Sequence, residues 1–528
     1  MEEKTFKEPD GLSDDIKIDS KELGSLLAVG KNMFKTKSPE EMLKSADSAG
    51  LNKTLGALDL IILGVGAIIG SGIFTVVGIA AAGGPESVGA GPALIISMVL
   101  ASLACVFSAM CYSEFASMIP VAGSAYLYTY ATMGEFLAWI VGWVLMLEYL
   151  VGYIAVASAW TGYFMQFLQG FSHILPNWIT HPPVYLVHDY TTAVSILTKE
   201  GLNPADIIPD IMGIPFAINL PGILMTLIIM AILIKGIKES TKMAGFMVFI
   251  KLAVIALFVI TGAFYVKPEN WTPFAPNGFQ GIFMGAFIIF FAYIGFDAIA
   301  TAAEETKNPQ RNLPIGIIGS LGVCTVVYVL VGLVLTGIVP VDKIDIQAPI
   351  AHAISSVGQG WIAGLISIGA LTGLTSVLLV LMLAATRILY AMSRDNFFPR
   401  VLKKVHKKFK TPHIITVLVA IICILGSTFL NISTAAELCN FGTFTSFIIV
   451  CVAVLILRKT DPSRPRPYKV PFSPWFPLFG IICCSGLMIY SMKFLTTSRF
   501  LFPLWIVLGI VFYFLYSYGK QRRVEKEN

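Results

Sequence analysis

Between residues 58 and 519 the chain is a near-unbroken series of long apolar stretches separated by short polar breaks. They lie near 58–84, 93–118, 135–169, 216–236, 243–266, 280–303, 314–338, 358–391, 413–430, 434–457, 475–496 and 501–519. About 20 mainly apolar residues suffice to cross a bilayer as a helix. The pattern therefore predicts an all-α polytopic membrane protein with twelve transmembrane helices; the third and eighth run long enough to tilt or to project beyond the bilayer. Composition closes off the soluble alternative. Of 528 residues, 56% are hydrophobic and only 13% are charged, so there is too little polar surface to cover such a core in water. We expect a cytoplasmic tail at 1–55, partly helical around Pro39–Ala46 and without the apolar region of a signal peptide, a membrane domain at 56–519 and a short tail at 520–528.

Lysine and arginine give these spans a direction. With a cytoplasmic N-terminus, the inner loops and C-tail hold 21 of them and the outer segments only five: Lys199, Lys267, Lys343, Lys493 and Arg499. Such a bias follows the positive-inside rule and places both termini in the cytoplasm of a cell whose plasma membrane the chain spans. The eight cysteines lie in or beside apolar runs with no metal or disulfide spacing, and read as small hydrophobes. One outer connection, about 170–215, is long and carries His173, His181 and His188, which read as solvated loop histidines rather than metal ligands. No metal, organic cofactor or nucleic-acid partner is expected.

Two spans are poor continuous helices. In the first, Gly64, Gly66, Gly70 and Gly72 fall within nine residues. Gly66 and Gly70 form a G-x-x-x-G pair that close packing on one seam would explain. Gly70-Ser71-Gly72, however, puts glycines on different faces, which a single seam does not need. A break there would free backbone amides at the start of a half-helix, aimed at an anion. In the sixth, Gly295 and Asp297 lie deep in the apolar run Phe290–Ile299. Unwound backbone at that depth is tolerated where it is buried in protein or lines a cavity, and its carbonyls can accept from an ammonium group. Five spans separate the two features, as a five-plus-five inverted repeat requires: about 58–266 and 280–457, with two further helices at 475–519. Amide donors on one broken helix and carbonyl acceptors on the other suit an α-amino acid.

Three charges sit at depth. Lys251 is roughly 12 Å along the fifth helix from its start, a long reach for snorkelling. A buried amine can exchange a proton and, as a fixed cation, can occupy the space of a coupling sodium ion. Glu148 and Asp297 read either as structural hydrogen-bonding groups or, with Lys251, as a proton relay. Arg387 reads as a snorkelling side chain, and Glu114, Glu304 and Glu305 as interface residues at inner helix ends.

Gly64-Val-Gly-Ala-Ile-Ile-Gly-Ser-Gly-Ile-Phe74 resembles the first-helix signature of the amino acid–polyamine–organocation superfamily. Pro120-Val-Ala-Gly-Ser-Ala-Tyr126, Tyr293-Ile-Gly-Phe-Asp297 and Glu304-Glu-Thr-Lys-Asn-Pro-Gln-Arg-Asn-Leu-Pro314 extend the likeness over most of the membrane domain. The fifth-helix lysine and the form of the sixth helix resemble the cationic amino acid transporter branch, in particular its bacterial proton-coupled permeases. The resemblance implies a LeuT-like fold with helices 1 and 6 broken, and alternating access. It implies that the amides of Gly70, Ser71 and Gly72 hold a substrate carboxylate, and that the carbonyls of Phe291, Ala292 and Ile294 hold its ammonium group, with Phe291 as a side-chain gate. By the same likeness Lys251 stands in for sodium and titrates, and Glu148 and Asp297 handle protons. The expected function is proton-coupled symport of L-amino acids, most simply small or broad-range neutral ones, with cationic ones open; the alternative on the same fold is exchange. A membrane enzyme lacks a nucleophile motif or an H-E-x-x-H, and a channel would need charge rings or a filter loop.

Overall fold

The computed structural model describes residue 36 and residues 55–84, 87–119, 124–211, 214–235, 241–409 and 411–517. The expected tail helix near Pro39–Ala46, Pro120–Gly123 of the third-helix motif, the side chains of Glu304 and Glu305 and the C-tail lie outside what it describes.

The chain runs through α1 (Ala57–Ile68), a π-helical turn (Gly72–Val76), α2 (Val77–Ala82), α3 (Leu94–Met118), α4 (Ser124–Thr132) and α5 (Glu135–Gln169). After a loop with short helices come α6 (Leu220–Lys235), α7 (Thr241–Ala263) and α8 (Gly278–Ile289). Two 3-10 segments (Phe290–Tyr293 and Phe296–Glu305) follow, then α9 (Pro309–Ile338), α10 (Gly360–Arg394), α11 (His413–Phe429), α12 (Ile432–Thr460), α13 (Trp475–Met492) and α14 (Ser498–Phe512). Among the described residues, eight helices are long and apolar enough to cross a membrane, and α1 with α2, bent by 46°, makes a ninth. The expected fourth, sixth and ninth spans are the shorter apolar helices α6, α8 and α11. α8 is short because its span tightens into a 3-10 turn after Ile289 and breaks at Ile294. The expected long spans are long: α5 and α10 have 35 residues each, about 50 Å of helix against a hydrocarbon core of about 30 Å.

Local chemistry sets the ends. Gly134, at φ +93°, turns the chain into α5. Pro309 occupies the first turn of α9, where its missing N–H costs nothing. The Asn431 side chain caps α12 by accepting from the Thr434 amide at 2.8 Å. α5 is the most enclosed of the long helices and packs against α10 and α12. On its other side Trp143 and Trp505 stack at 4.6 Å and each donates its indole N–H to the other's carbonyl, which fastens α14 to α5. α13 and α14 leave Ile482, Ile489, Leu504, Val507 and Leu508 exposed, as lipid-facing helices do. The cysteines are unpaired and all but Cys483 are buried. The described residues of the 170–219 connection form helices Asn177–Thr180, Tyr190–Lys199 and Pro204–Ile207 and a two-residue antiparallel pairing.

Candidate functional site

The first break follows from helix arithmetic. Ile69 is the last residue to donate back, to Val65 at 2.9 Å, and its own backbone is extended (ψ 103°). Helical bonding resumes with the Phe74 amide donating to Gly70 at 3.2 Å, so the amides of Gly70, Ser71, Gly72 and Ile73 open a new helix without intrahelical acceptors. All four residues are buried. A Cβ at Gly64 would meet Ile299 and Ser320, at Gly66 Val248, at Gly70 Val377 and at Gly72 the Ala292 backbone. The four glycines thus face different neighbours, so packing on one seam does not account for them.

The second break lies at Ile294 and Gly295. Ile294 is extended (ψ 138°) and Gly295 has φ +123°, which a side chain would strain. The two breaks touch. A Cβ at Gly295 would lie 2.8 Å from the Ala67 carbonyl oxygen, and Gly72 lies against Ala292.

A broken helix leaves carbonyls as well as amides, and here side chains take them up. The Lys251 ammonium donates to Gly66 at 3.0 Å and to Ile69 at 3.1 Å. The Tyr328 hydroxyl, on α9, is 3.0 Å from the Ile68 carbonyl oxygen and 2.8 Å from that of Ala292. Its one proton serves one of them at a time, so Tyr328 joins the first break to the second. The Lys251 stem lies on α10 over Gly373, where a Cβ would come within 3.0 Å of it. An amine with two carbonyl acceptors is held as a cation would be, buried at 1% exposure.

The sequence of the described membrane domain, residues 55–513, matches the family model described as amino acid permease. The chain belongs to the amino acid permease family. It is 43% identical over 486 residues to the methylthioribose transporter of Bacillus subtilis (strain 168), covering 92% of this chain and 98% of that one. It is 42% identical over 488 residues to the branched-chain amino acid permease BcaP of the same organism, with the same coverage. It is 34% identical over 458 residues to the chloroplastic cationic amino acid transporter 9 of Arabidopsis thaliana, covering 85% of this chain and 74% of that one. The permease is thus a multi-pass membrane transporter and not an enzyme, and its relation to the cationic amino acid transporters agrees with the resemblance seen in its motifs.

Within the permease the three deep charges do not form one cluster. Glu148 and Asp297, both buried, lie within electrostatic range of each other and of Tyr112. Glu148 faces Thr443 of α12, while its Oε2, Tyr112 Oη and Tyr128 Oη find no hydrogen-bond partner among the described residues. Lys251 has no ion pair among the described residues and is bonded to the α1 carbonyls instead. Phe291 lies at 8% exposure on the 3-10 turn before the second break. Arg387 is exposed on α10. Glu114 needs correction: it is no interface residue but is 1% exposed, paired with Arg458 and accepting the Val470 amide at 2.7 Å. Arg466 Nε lies 3.5 Å from it. A helix-end acid and arginines 344 positions and more away give no local signal of this pairing.

Sequence reasoning also missed Tyr328, Asn440 and Glu437. Asn440 donates to the Phe287 carbonyl at 2.6 Å, tying α12 to α8 just before its break. Glu437 accepts from Ser498 at 2.6 Å and from Ser433 at 3.0 Å. A tyrosine in an apolar helix carries no mark of function in sequence. On the side away from the basic loops, the turn at Asp345–Ala348 meets the π-helical turn before α2: Thr75 reaches the Gln347 carbonyl at 3.4 Å. Beside it His188, Asp189, Thr192, Asn219 and Gln347 line a cavity of about 10 Å³, room for one water. His188 is partly buried there, and loss of water around the imidazole holds it down to about 4 against the pull of Asp345. No group of three or more metal-ligating side chains occurs among the described residues.

Proposed function

We propose that the permease takes up neutral L-amino acids by proton-coupled symport with alternating access. The observation that carries this reading is the pairing of freed amides at Gly70–Gly72 with a Lys251 ammonium held by the Gly66 and Ile69 carbonyls of the same break. The amides would receive the carboxylate, and the carbonyls of Phe291, Ala292 and Ile294 the ammonium group, with Phe291 closing above it. Lys251 would be the coupling cation in place of sodium, and release of its proton would remove the charge that strengthens its bonds to the two carbonyls and so loosen α1 from α7. Glu148 and Asp297 would exchange protons with it through the movement of the sixth span rather than by contact. No organic cofactor is required; the proton is the coupling ion.

The framework proposed is twelve spans in two inverted five-helix repeats, about 58–266 and 280–457, plus α13 and α14. Tails at 1–55 and 520–528 would lie in the cytoplasm and the whole in the cell membrane. The match in position between the breaks in the first and sixth spans supports the repeat, and the basic loops support the orientation. For the cargo, Val377 against Gly70 and the Phe291 ring are apolar. The cargoes named for the two Bacillus relatives, a branched-chain amino acid and methylthioribose, are both without a cationic side chain.

Purified permease in empty liposomes with an imposed inward proton gradient should accumulate labelled alanine or leucine and collapse when the gradient is dissipated. Uptake that needs internal amino acid and ignores the gradient would establish exchange instead. A parallel panel with arginine and methylthioribose tests the cargo: uptake of arginine in preference to both neutral amino acids would reject the neutral reading.

A further inference from the structure

The two most basic loops of the permease are built differently. In residues 458–469, Arg458 and Arg466 turn onto Glu114 and Arg464 pairs with Asp461 at 2.8 Å, so three of that loop's five basic residues are engaged by carboxylates. Residues 396–412, between α10 and α11, hold Arg400, Lys403, Lys404, Lys407, Lys408 and Lys410 and no acid at all. Asp395, at their start, accepts from the Tyr126 hydroxyl at 2.7 Å. Lys403 is spent on the loop's own frame, donating to Asn396 Oδ1 at 2.6 Å. Lys404, Lys407 and Lys408 remain exposed, with no ion pair among the described residues.

The loop is nonetheless ordered and tied to the membrane helices. Phe397 and Phe398 are buried against Trp139, and Thr411 donates to the Ile234 carbonyl at the end of α6 at 2.7 Å. The His406 ring accepts the Lys408 and Phe409 amides, both at 3.2 Å. Val401 and Val405 are 52% and 40% exposed beside the lysines. Lys235, at the end of α6, and Arg394 and Arg387, seven residues apart on one face of α10, are exposed next to the loop. Aliphatic side chains interleaved with cations that have no ion pair among the described residues, on a segment that joins the ends of two apolar helices, match the headgroup layer and not bulk water.

We propose that residues 394–409 are a docking surface for anionic lipid headgroups of the adjoining leaflet, with Lys404, Lys407 and Lys408 meeting the phosphates and Val401 and Val405 entering the acyl boundary. The occupant is lipid rather than a soluble polyanion because the loop is held at the helix ends by Phe397, Phe398 and Thr411. Near an anionic surface each such cation strengthens attachment about fivefold, so removing three should weaken it about a hundredfold.

The test uses the full-length permease in a neutral detergent, following thermal unfolding during titration with phosphatidylglycerol, phosphatidylcholine or inorganic phosphate. Phosphatidylglycerol should raise Tm, less so in high salt, while the other two should not. The K404Q/K407Q/K408Q variant should keep the wild-type Tm in detergent alone and need about a hundredfold more phosphatidylglycerol for the same rise. Because other cations of the chain also meet lipid, the variant decides: a response equal to wild type overturns the proposal. An equal shift from inorganic phosphate would overturn it too. Should the variant fail to fold, V401S/V405S serves in its place, with the same weakening expected in direction and an unchanged response overturning the proposal.

Discussion

The Lys251 ammonium lies 3.1 Å from the carbonyl oxygen of Ile69, the residue at which the first span stops being a helix. A buried cation and an interrupted helix thus satisfy each other. The carbonyls that the break strips of amide partners find an ammonium and a tyrosine hydroxyl, and the ammonium finds acceptors without a carboxylate. Such an arrangement holds α1 to α7 most firmly while the lysine is an ammonium, because a neutral amine keeps two N–H donors but loses the charge that strengthens both bonds.

Replacing Lys251 by Ala should therefore do two separable things. Leaving two buried carbonyls without donors costs about 1–3 kcal/mol each, which lowers Tm. Gradient-driven uptake should vanish, while substrate binding and counterflow between amino-acid-loaded liposomes persist in part. Wild-type gradient-driven accumulation by the variant would remove Lys251 from coupling.

The glycines of the break should differ in tolerance. At Gly70 an added Cβ meets a Val377 methyl at 3.1 Å, and that side chain can yield. At Gly72 it meets the Ala292 backbone, which cannot yield without moving the second break. Gly72→Ala should cost about 1–3 kcal/mol and abolish substrate-induced stabilisation, with Gly70→Ala milder on both measures. Thermal shift with and without alanine checks the order; equal effects would mean the backbones do not meet as described.

Tyr328→Phe removes one hydroxyl and no volume. It should lower stability by about 1 kcal/mol and slow transport several-fold while leaving the amide site in place, read as reduced uptake rate with near-normal substrate affinity. Unchanged uptake would make the bridge between the breaks structural only.

Glu114 anchors two arginines. Glu114→Gln should destabilise the fold by about 1–3 kcal/mol, since it removes the charge facing both Arg458 and the nearly buried Arg466, whose guanidinium keeps its bonds to backbone carbonyls. Urea or thermal unfolding measures this.

His188 gives the outer loop a pH dependence whose sign is fixed. In the packed loop it binds a proton only near pH 4, whereas a released imidazole does so near 6.5. The packed form is favoured above pH 6.5 and loses that advantage as pH falls from about 6.5 to about 4, because only the released form takes up the proton over that window. Hydrogen exchange of residues 184–192, corrected for intrinsic rates, should rise through this range in wild type and stay flat in His188→Gln.

The order of helices, the two breaks and the depth of Lys251, Glu148 and Asp297 were legible in the sequence because each is a local property. Apolar length, clustered glycine and an isolated charge in an apolar run need no partner to be recognised. The oxygens to which Lys251 donates were not legible, nor were the grouping of Glu148 with Asp297 apart from it, the role of Tyr328 or the burial of Glu114. Those depend on residues from 36 to 344 positions apart meeting across helix interfaces, as with Tyr328 and Ala292 or Arg458 and Glu114.

By itself, then, the sequence determined that this protein lives in a bilayer, where its helices must be interrupted, and that a few charges would be costly there. Hydrophobic length and backbone propensity act residue by residue and leave their trace in the chain. Only the tertiary structure decided what the interruptions do. A carbonyl or amide freed by a break is neutral in its meaning until the fold brings a donor or acceptor to it. At Ile69 the donor is Lys251, 182 residues further along the chain.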